Sequence, residues 1–229
     1  MTSKTIPITE IFYSIQGEGK YCGHPSLFIR VGGCNLTCSG FSKHGCDSFY
    51  AVDKKYKSSW KMMSINDLIV EIEKYYPCDI VLTGGEPTLY YQKLYPIIEK
   101  FDNITIETNT TIDIDFEKYP AFKKVSFAMS VKLSNSGEEY SKRVNKEAIQ
   151  NIANNAKNSF FKFVINSDLL SEINDICKNI DLPIYCMPLG ETKKELEKNS
   201  PFVFDFCLKN NFFYSDRIHI RLFSKKRGV

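Results

Sequence analysis

Three cysteines stand close together in a chain that otherwise scatters them. Cys34, Cys38 and Cys46 fall in one stretch, Gly33-Cys34-Asn35-Leu36-Thr37-Cys38, seven further residues, then Cys46-Asp47-Ser48. Cys22, Cys78, Cys177, Cys186 and Cys207 lie singly in apolar or mixed surroundings and read as small core fillers. Thiolates bunched on one loop can chelate a metal centre, because a short loop loses little entropy in closing around it. A four-iron cluster usually takes four cysteines; three leave one iron with an open coordination position. His44 lies between Cys38 and Cys46, so Cys34, Cys38, His44 and Cys46 could instead close as a structural zinc site. The loop alone leaves cluster, zinc and unligated thiols open.

A second motif, Thr83-Gly84-Gly85-Glu86-Pro87, follows directly on a strand-like run. Two glycines let a ligand approach the backbone without a side chain in the way, and Glu86 supplies an acceptor for an ammonium group. Alone it could also be a plain strand-to-helix turn with Pro87 at the helix start. Its companionship with the cysteines points to chemistry.

These motifs need a scaffold, and the chain alternates strand and helix patterns. Ile8–Tyr13, Leu27–Val31, Asp79–Leu82, Ile104–Glu107, Val125–Met129, Phe161–Ile165, Pro183–Met187 and Ile218–Leu222 read as strands. Between them, Ser64 caps a helix with the stripe Ile65, Leu68, Ile69 and Ile72; Leu94, Ile97, Ile98 and Phe101 mark the next, bent at Pro96. Ala148 to Ala156, a helix capped by Asp168, and Phe202–Leu208 complete the set. Strands separated by helices predict βαβ units around a parallel sheet. The site is then expected at the strands' C-terminal ends, where both motifs fall.

Composition narrows the function classes. Thirty Lys and Arg against 27 Asp and Glu leave +3, too balanced to suggest a nucleic-acid partner, and Lys225-Lys226-Arg227 reads as a solvated basic end. With 43% hydrophobic and 25% charged residues the chain is of ordinary globular composition. No apolar run is long enough for a membrane helix, and MTSKTIPITE lacks the apolar region of a signal peptide. A cytoplasmic protein with reduced cysteines is expected.

The three cysteines followed roughly 40 residues later by Gly84-Gly85-Glu86-Pro87 resemble the radical S-adenosylmethionine (SAM) enzymes. The resemblance implies a [4Fe-4S] cluster on Cys34, Cys38 and Cys46 whose open iron binds the amino and carboxylate groups of SAM. It also implies a Gly-Gly-Glu-Pro element that binds SAM's amino group. Reduction then cleaves SAM to a 5′-deoxyadenosyl radical.

A narrower resemblance covers nearly the whole chain. Glu10 to Gly19, Phe28-Ile29-Arg30, Gly33-Cys34-Asn35-Leu36 and Cys46-Asp47-Ser48 are similar to the 7-carboxy-7-deazaguanine synthase family of queuosine biosynthesis. So are Glu107-Thr108-Asn109-Thr110, Ser130-Val131-Lys132, Met187-Pro188-Leu189-Gly190 and the ending from Arg217. Seven residues, Ser39 to Gly45, stand between the second and third cysteines where family members often have two; Val131 replaces a proline, and a glycine is missing from 107–110.

This resemblance implies a partial (β/α)6-type radical SAM barrel, an incomplete TIM-like barrel with parallel strands forming a single domain over 1–229. It implies a lyase converting 6-carboxy-5,6,7,8-tetrahydropterin to 7-carboxy-7-deazaguanine with release of ammonia and regeneration of SAM. Mg²⁺ is expected on Ser48. SAM is expected to contact Gly45, Cys46, Asp47, Gly84, Gly85, Glu86, Ser130, Val131, Lys132, Met187, Pro188, Leu189 and Gly190. Substrate is expected at Ile15, Gln16, Gly17, Glu18, Arg30, Thr83 and Val229, with Arg30 paired to its carboxylate. A reductant such as flavodoxin or ferredoxin and a homodimer are also implied, with no nucleic-acid or membrane partner. Without the family context Arg30 is an ordinary strand charge, Glu18 a turn residue and Ser48 a helix cap. A glycyl-radical activating enzyme shares cluster and Gly-Gly-Glu-Pro, but the opening Gln16-Gly17-Glu18-Gly19 argues against it.

Overall fold

In the computed structural model, residues 5–41 and 45–229 are described. Strand β1 (Thr5–Ile15) turns back antiparallel onto β2 (Pro25–Val31), and β3 (Lys61–Ser64) pairs antiparallel with the other edge of β1. From β2 onward every pairing is parallel: β4 (Asp79–Gly84), β5 (Ile104–Thr108), β6 (Ser126–Met129), β7 (Phe160–Ile165), β8 (Ile184–Pro188) and β9 (Phe213–Tyr214). The order β3-β1-β2-β4-β5-β6-β7-β8-β9 leaves β3 and β9 at opposite ends, so the sheet curves without closing. That is the expected partial barrel, with β1 and β3 added outside the βα repeat.

Helices cover the outer face: α2 (Ile65–Glu73), α3 (Tyr91–Lys100), α5 (Lys146–Asn155), α6 (Leu170–Ile176) and α7 (Lys193–Asn210), with short α1 (Phe49–Val52), α4 (Tyr140–Arg143) and α8 (Ile218–Phe223) beside the mouth. The Ser64 cap is the one the sequence calls for, whereas α6 has Leu169 at its N-cap position and α7 begins at Lys193, nine residues before the expected Phe202. Ser64 Oγ accepts from the Asp67 amide at 3.1 Å, Asp168 accepts from the Leu170 amide at 3.1 Å, and Thr192 with Glu195 forms a capping box on α7. Between β5 and β6 the chain makes only a 3-10 turn, Pro120–Lys124.

One expectation is corrected. Ile218–Leu222 is not a strand but lies in helix α8. Its alternation of Ile, His, Ile, Arg and Leu matches a strand, yet Ile218 N donates to Gly17 O and the segment winds against the β1 end. Tertiary packing overrides a short ambiguous pattern.

Strand alternation sorts the side chains into two faces. Leu27, Ile29 and Val31 on β2, Ile80 and Leu82 on β4, Ile104 and Ile106 on β5, and Phe161, Phe163 and Ile165 on β7 join the core beneath the helices. Their neighbours Phe28, Arg30, Thr83, Glu107, Lys162 and Val164 point inward and line a cavity of about 480 Å³. Among the described residues no helix is long and apolar enough to cross a membrane.

Candidate active site

The cavity opens at the C-terminal ends of the parallel strands. Cys34, Cys38 and Cys46 all line it, on the loop that follows β2. Burial pushes all three thiols up, Cys34 to about 12, while the ammonium of Lys132 opposes the shift at each. Cys34 Sγ receives the Leu36 amide at 3.4 Å and Asn109 Nδ2 at 3.8 Å. Cys38 is buried and Cys34 and Cys46 half-buried; sulfurs lining one cavity, a shared cation and N–H donors aimed at Cys34 suit thiolates bound to iron. The donor set therefore fits a cluster. Among the described residues no three His, Cys, Asp or Glu side chains close on a single ion; His44, the fourth zinc donor considered, lies outside the described residues.

Opposite the cysteines, inward charges form one connected network. Lys162 Nζ lies 2.7 Å from Glu107 Oε1 and 3.1 Å from Glu18 Oε2. Thr83 Oγ1 donates to Glu107 Oε2 at 2.7 Å. Arg217 donates in three directions: Nε to Glu18 at 2.7 Å, Nη2 to Asp47 at 2.6 Å, and Nη1 to the Gly190 carbonyl at 2.8 Å. Burial alone would raise the pKa of Glu18, but Arg217, Lys162 and His219 hold it well below the usual range. Burial would likewise lower Lys162, yet Glu107 and Glu18 keep it protonated. Burial lowers His219, which is therefore neutral near pH 7, its Nε2 3.7 Å from Glu18.

Gln16, Glu18, Arg30, Thr83, Ile15, Gly17 and Val229 line the cavity, as do Ser48, Asp47, Ser130, Lys132, Met187, Leu189, Gly190, Gly84 and Gly85. Gly45, Glu86, Val131 and Pro188 do not. Val131 belongs to the core beneath the sheet.

The largest departure is Glu86. It is fully buried, and its carboxylate accepts from Thr88 N and Oγ1, Thr108 Oγ1 and Asn109 N. Instead of presenting an acceptor to an ammonium group, it ties the end of β4 to the end of β5. The glycines beside it also have an internal reason. A Cβ on Gly84 (φ +131°) would lie 2.2 Å from Val31 O, and one on Gly85 2.0 Å from Gly33 O. The strand ends press together there.

Arg30 is likewise engaged: Nε donates to Glu10 at 3.1 Å and Nη1 to Ser48 Oγ at 3.0 Å. Glu10 also accepts from Tyr50 Oη at 3.0 Å. Ser48 thus offers a hard cation one neutral oxygen with a guanidinium against it. The carboxylates of Glu18, Asp47, Glu107 and Glu191 on the wall are already paired, so water and substrate would have to fill an octahedral shell.

Lys162, Glu107, Arg217, His219 and Arg227 were not among the predicted site residues. Lys162 left a signal, a lysine inside the apolar run Phe160–Ile165. Arg227, read as solvated, has its guanidinium 3.7 Å from the Tyr50 ring centroid, a contact with no local signature.

An incomplete parallel barrel with three cysteines at its mouth defines a class of iron–sulfur protein. Residues 15–153 match the family model described as a 4Fe-4S single cluster domain. The 7-carboxy-7-deazaguanine synthase of Rhodopirellula baltica is 29% identical over 247 residues, covering 100% of this chain and 90% of that one. The one from Clostridium acetobutylicum is 30% identical over 182 residues, covering 76% and 73%. The crystal structure of QueE from Escherichia coli superposes with a TM-score of 0.71 at 22% identity, covering 93% of each chain, and has the same fold. The chain belongs to the radical SAM enzymes, in the 7-carboxy-7-deazaguanine synthase family.

Proposed function

We propose that the protein converts 6-carboxy-5,6,7,8-tetrahydropterin to 7-carboxy-7-deazaguanine with release of ammonia, a step toward queuosine. One observation carries this reading. A single cavity joins the three bunched cysteines to a layer of mutually paired charges, Arg30, Glu18, Glu107 and Lys162, able to hold a small polar heterocycle.

Cys34, Cys38 and Cys46 would hold the [4Fe-4S] cluster, and Asp47, Gly84, Gly85, Ser130, Lys132 and the Met187–Gly190 loop would surround SAM. Bound there, the cluster and SAM would supply the radical chemistry needed to take hydrogen from the carboxylate-bearing carbon of the substrate. The chain's own part is to bind, orient and exclude water. Gln16 holds the turn of the opening signature, its Oε1 accepting from the Glu18 amide at 3.1 Å. Glu18, kept ionised by Arg217 and Lys162, and Glu107, kept ionised by Lys162, present acceptors to ring N–H groups. Neutral His219 can give or take one hydrogen bond. Phe12 and Phe28, stacked at 4.9 Å, form an apolar wall.

Mg²⁺ on Ser48, a flavodoxin or ferredoxin as electron donor, a homodimeric assembly and a cytoplasmic location belong to the same proposal. So does a substrate contact from Val229. Reducing surroundings suit eight cysteines that are all free.

The test is an anaerobic assay of reconstituted protein with reductant, SAM, Mg²⁺ and carboxytetrahydropterin, read by mass spectrometry. A product lighter than substrate by one ammonia, absent with Cys34→Ala, is expected. An intact cluster that cleaves SAM slowly but gives no such product would refute the substrate.

A further inference from the structure

The Thr37–Gly40 stretch, which carries the second cysteine, is strapped to the segment that follows Lys132. Glu138 Oε1 accepts from the Thr37 amide at 2.6 Å, the Thr37 hydroxyl at 2.7 Å and the Cys38 amide at 2.8 Å. Two residues on, Gly40 N donates to Ser136 O at 2.8 Å. A Cβ on Gly40 would fall 2.4 Å from Asn135 O, and one on Gly137 2.8 Å from Ser39 Oγ, so the two segments touch backbone to backbone. The base of the strap is fixed as well. Ser134 N donates to Glu172 at 2.9 Å, and Arg143 bridges Glu172 at 2.8 Å and the Lys132 carbonyl at 2.6 Å.

Cys38 itself has φ 51°, a left-handed conformation that a residue with a Cβ enters only when its surroundings enforce it. The charge-assisted bonds to Glu138 are placed to do so, since they grip the amide of that residue and both donors of the one before it.

We propose that Glu138 is a positioning residue for the cluster, holding the backbone at Thr37 and Cys38 and laying a negative charge beside that ligand. This rests on the reading that Cys34, Cys38 and Cys46 hold a [4Fe-4S] cluster. A cluster's reduction potential follows the charge around it and the hydrogen bonds to its sulfurs. Glu138 acts on both, because it brings a carboxylate close and takes up the Cys38 N–H. Both effects make the cluster harder to reduce.

The two roles separate by substitution. Glu138→Gln keeps an acceptor oxygen and removes the charge; Glu138→Ala removes the acceptor. Reconstituted proteins are compared by potentiometric titration followed by electron paramagnetic resonance, and by the rate at which a chelator strips iron. Expected are a midpoint in Glu138→Gln shifted to more positive potential, and iron release from Glu138→Ala faster by about tenfold or more. Glu139→Gln, which removes the same charge one residue away, serves as the control and should shift the midpoint less. A midpoint in Glu138→Gln equal to that of the unsubstituted protein, or iron release from Glu138→Ala at the original rate, overturns the proposal. An unsubstituted protein that takes up no iron would instead overturn the cluster reading beneath it.

Discussion

Replacing Lys162 by methionine takes one cation from between two carboxylates and leaves the shape of the strand nearly unchanged. Lys162 is 4% exposed, with Nζ 2.7 Å from Glu107 and 3.1 Å from Glu18. At an effective dielectric of about 20, each contact is worth roughly 5–6 kcal/mol before desolvation, and desolvation costs several kcal/mol per ion. Removing one partner of a buried pair typically costs about 3–5 kcal/mol. Glu18 keeps Arg217 and Glu107 keeps Thr83, which places the loss near the lower end, about 3 kcal/mol. For a chain of this size that corresponds to a melting temperature lower by roughly 6–12 °C.

The pH dependence has a definite sign. In the unsubstituted protein both carboxylates titrate below their ordinary range. Their pairing therefore contributes stability that is full above the unfolded value of about 4.3 and is lost as pH falls through the folded values. Without Lys162, burial pushes Glu107 upward, and its penalty is relieved as pH falls toward about 4.3. The gap between the two proteins should narrow from pH 7 to pH 5. Anaerobic thermal melts of the cluster-free proteins at both pH values test this. A gap under about 2 °C at pH 7, or one of equal size at pH 5, would refute the reasoning.

Gly85→Ala should destabilise by about 3 kcal/mol or more, since its Cβ would meet the Gly33 carbonyl oxygen at 2.0 Å with no side chain free to yield; an unchanged melt would show that the strand ends can part. Arg227 lines the cavity on the Tyr50 ring, while Arg30 beside it is engaged by Glu10. Arg227→Gln should raise KM for a carboxylated pterin about tenfold with little change in kcat, and equal weakening toward an uncharged analogue would assign Arg227 to holding the C-terminal segment in place.

Much of this was legible because the information was local. Period-two alternation on β7 separates Phe161, Phe163 and Ile165 from the inward positions, and Ser64 with Asp67 announces a helix start. The three cysteines were bunched in sequence, so their place on one cavity wall needed no knowledge of the fold. Partners far apart in the chain left no trace. Nothing near Glu18 announces Arg217, 199 residues away, and nothing near Tyr50 announces Arg227. Glu86 is a different case. Its neighbours suggested a ligand, whereas its four donors come from the turn it opens and from the end of the next strand. Residues 218–222 failed because five residues are too few to distinguish period two from 3.6.

The three-way grip of Arg217 also has a bearing on synthesis. Its carboxylate partners Glu18 and Asp47 leave the ribosome 199 and 170 residues earlier. At about 5–20 residues per second, Asp47 waits roughly ten to thirty seconds for its cation. Six parallel strands can pair in that interval, but the pocket's charges balance only when the final helix docks. A chain halted before residue 217 would leave Glu18 one cation short in a folded shell, so the fold would register its own incompleteness as lost stability.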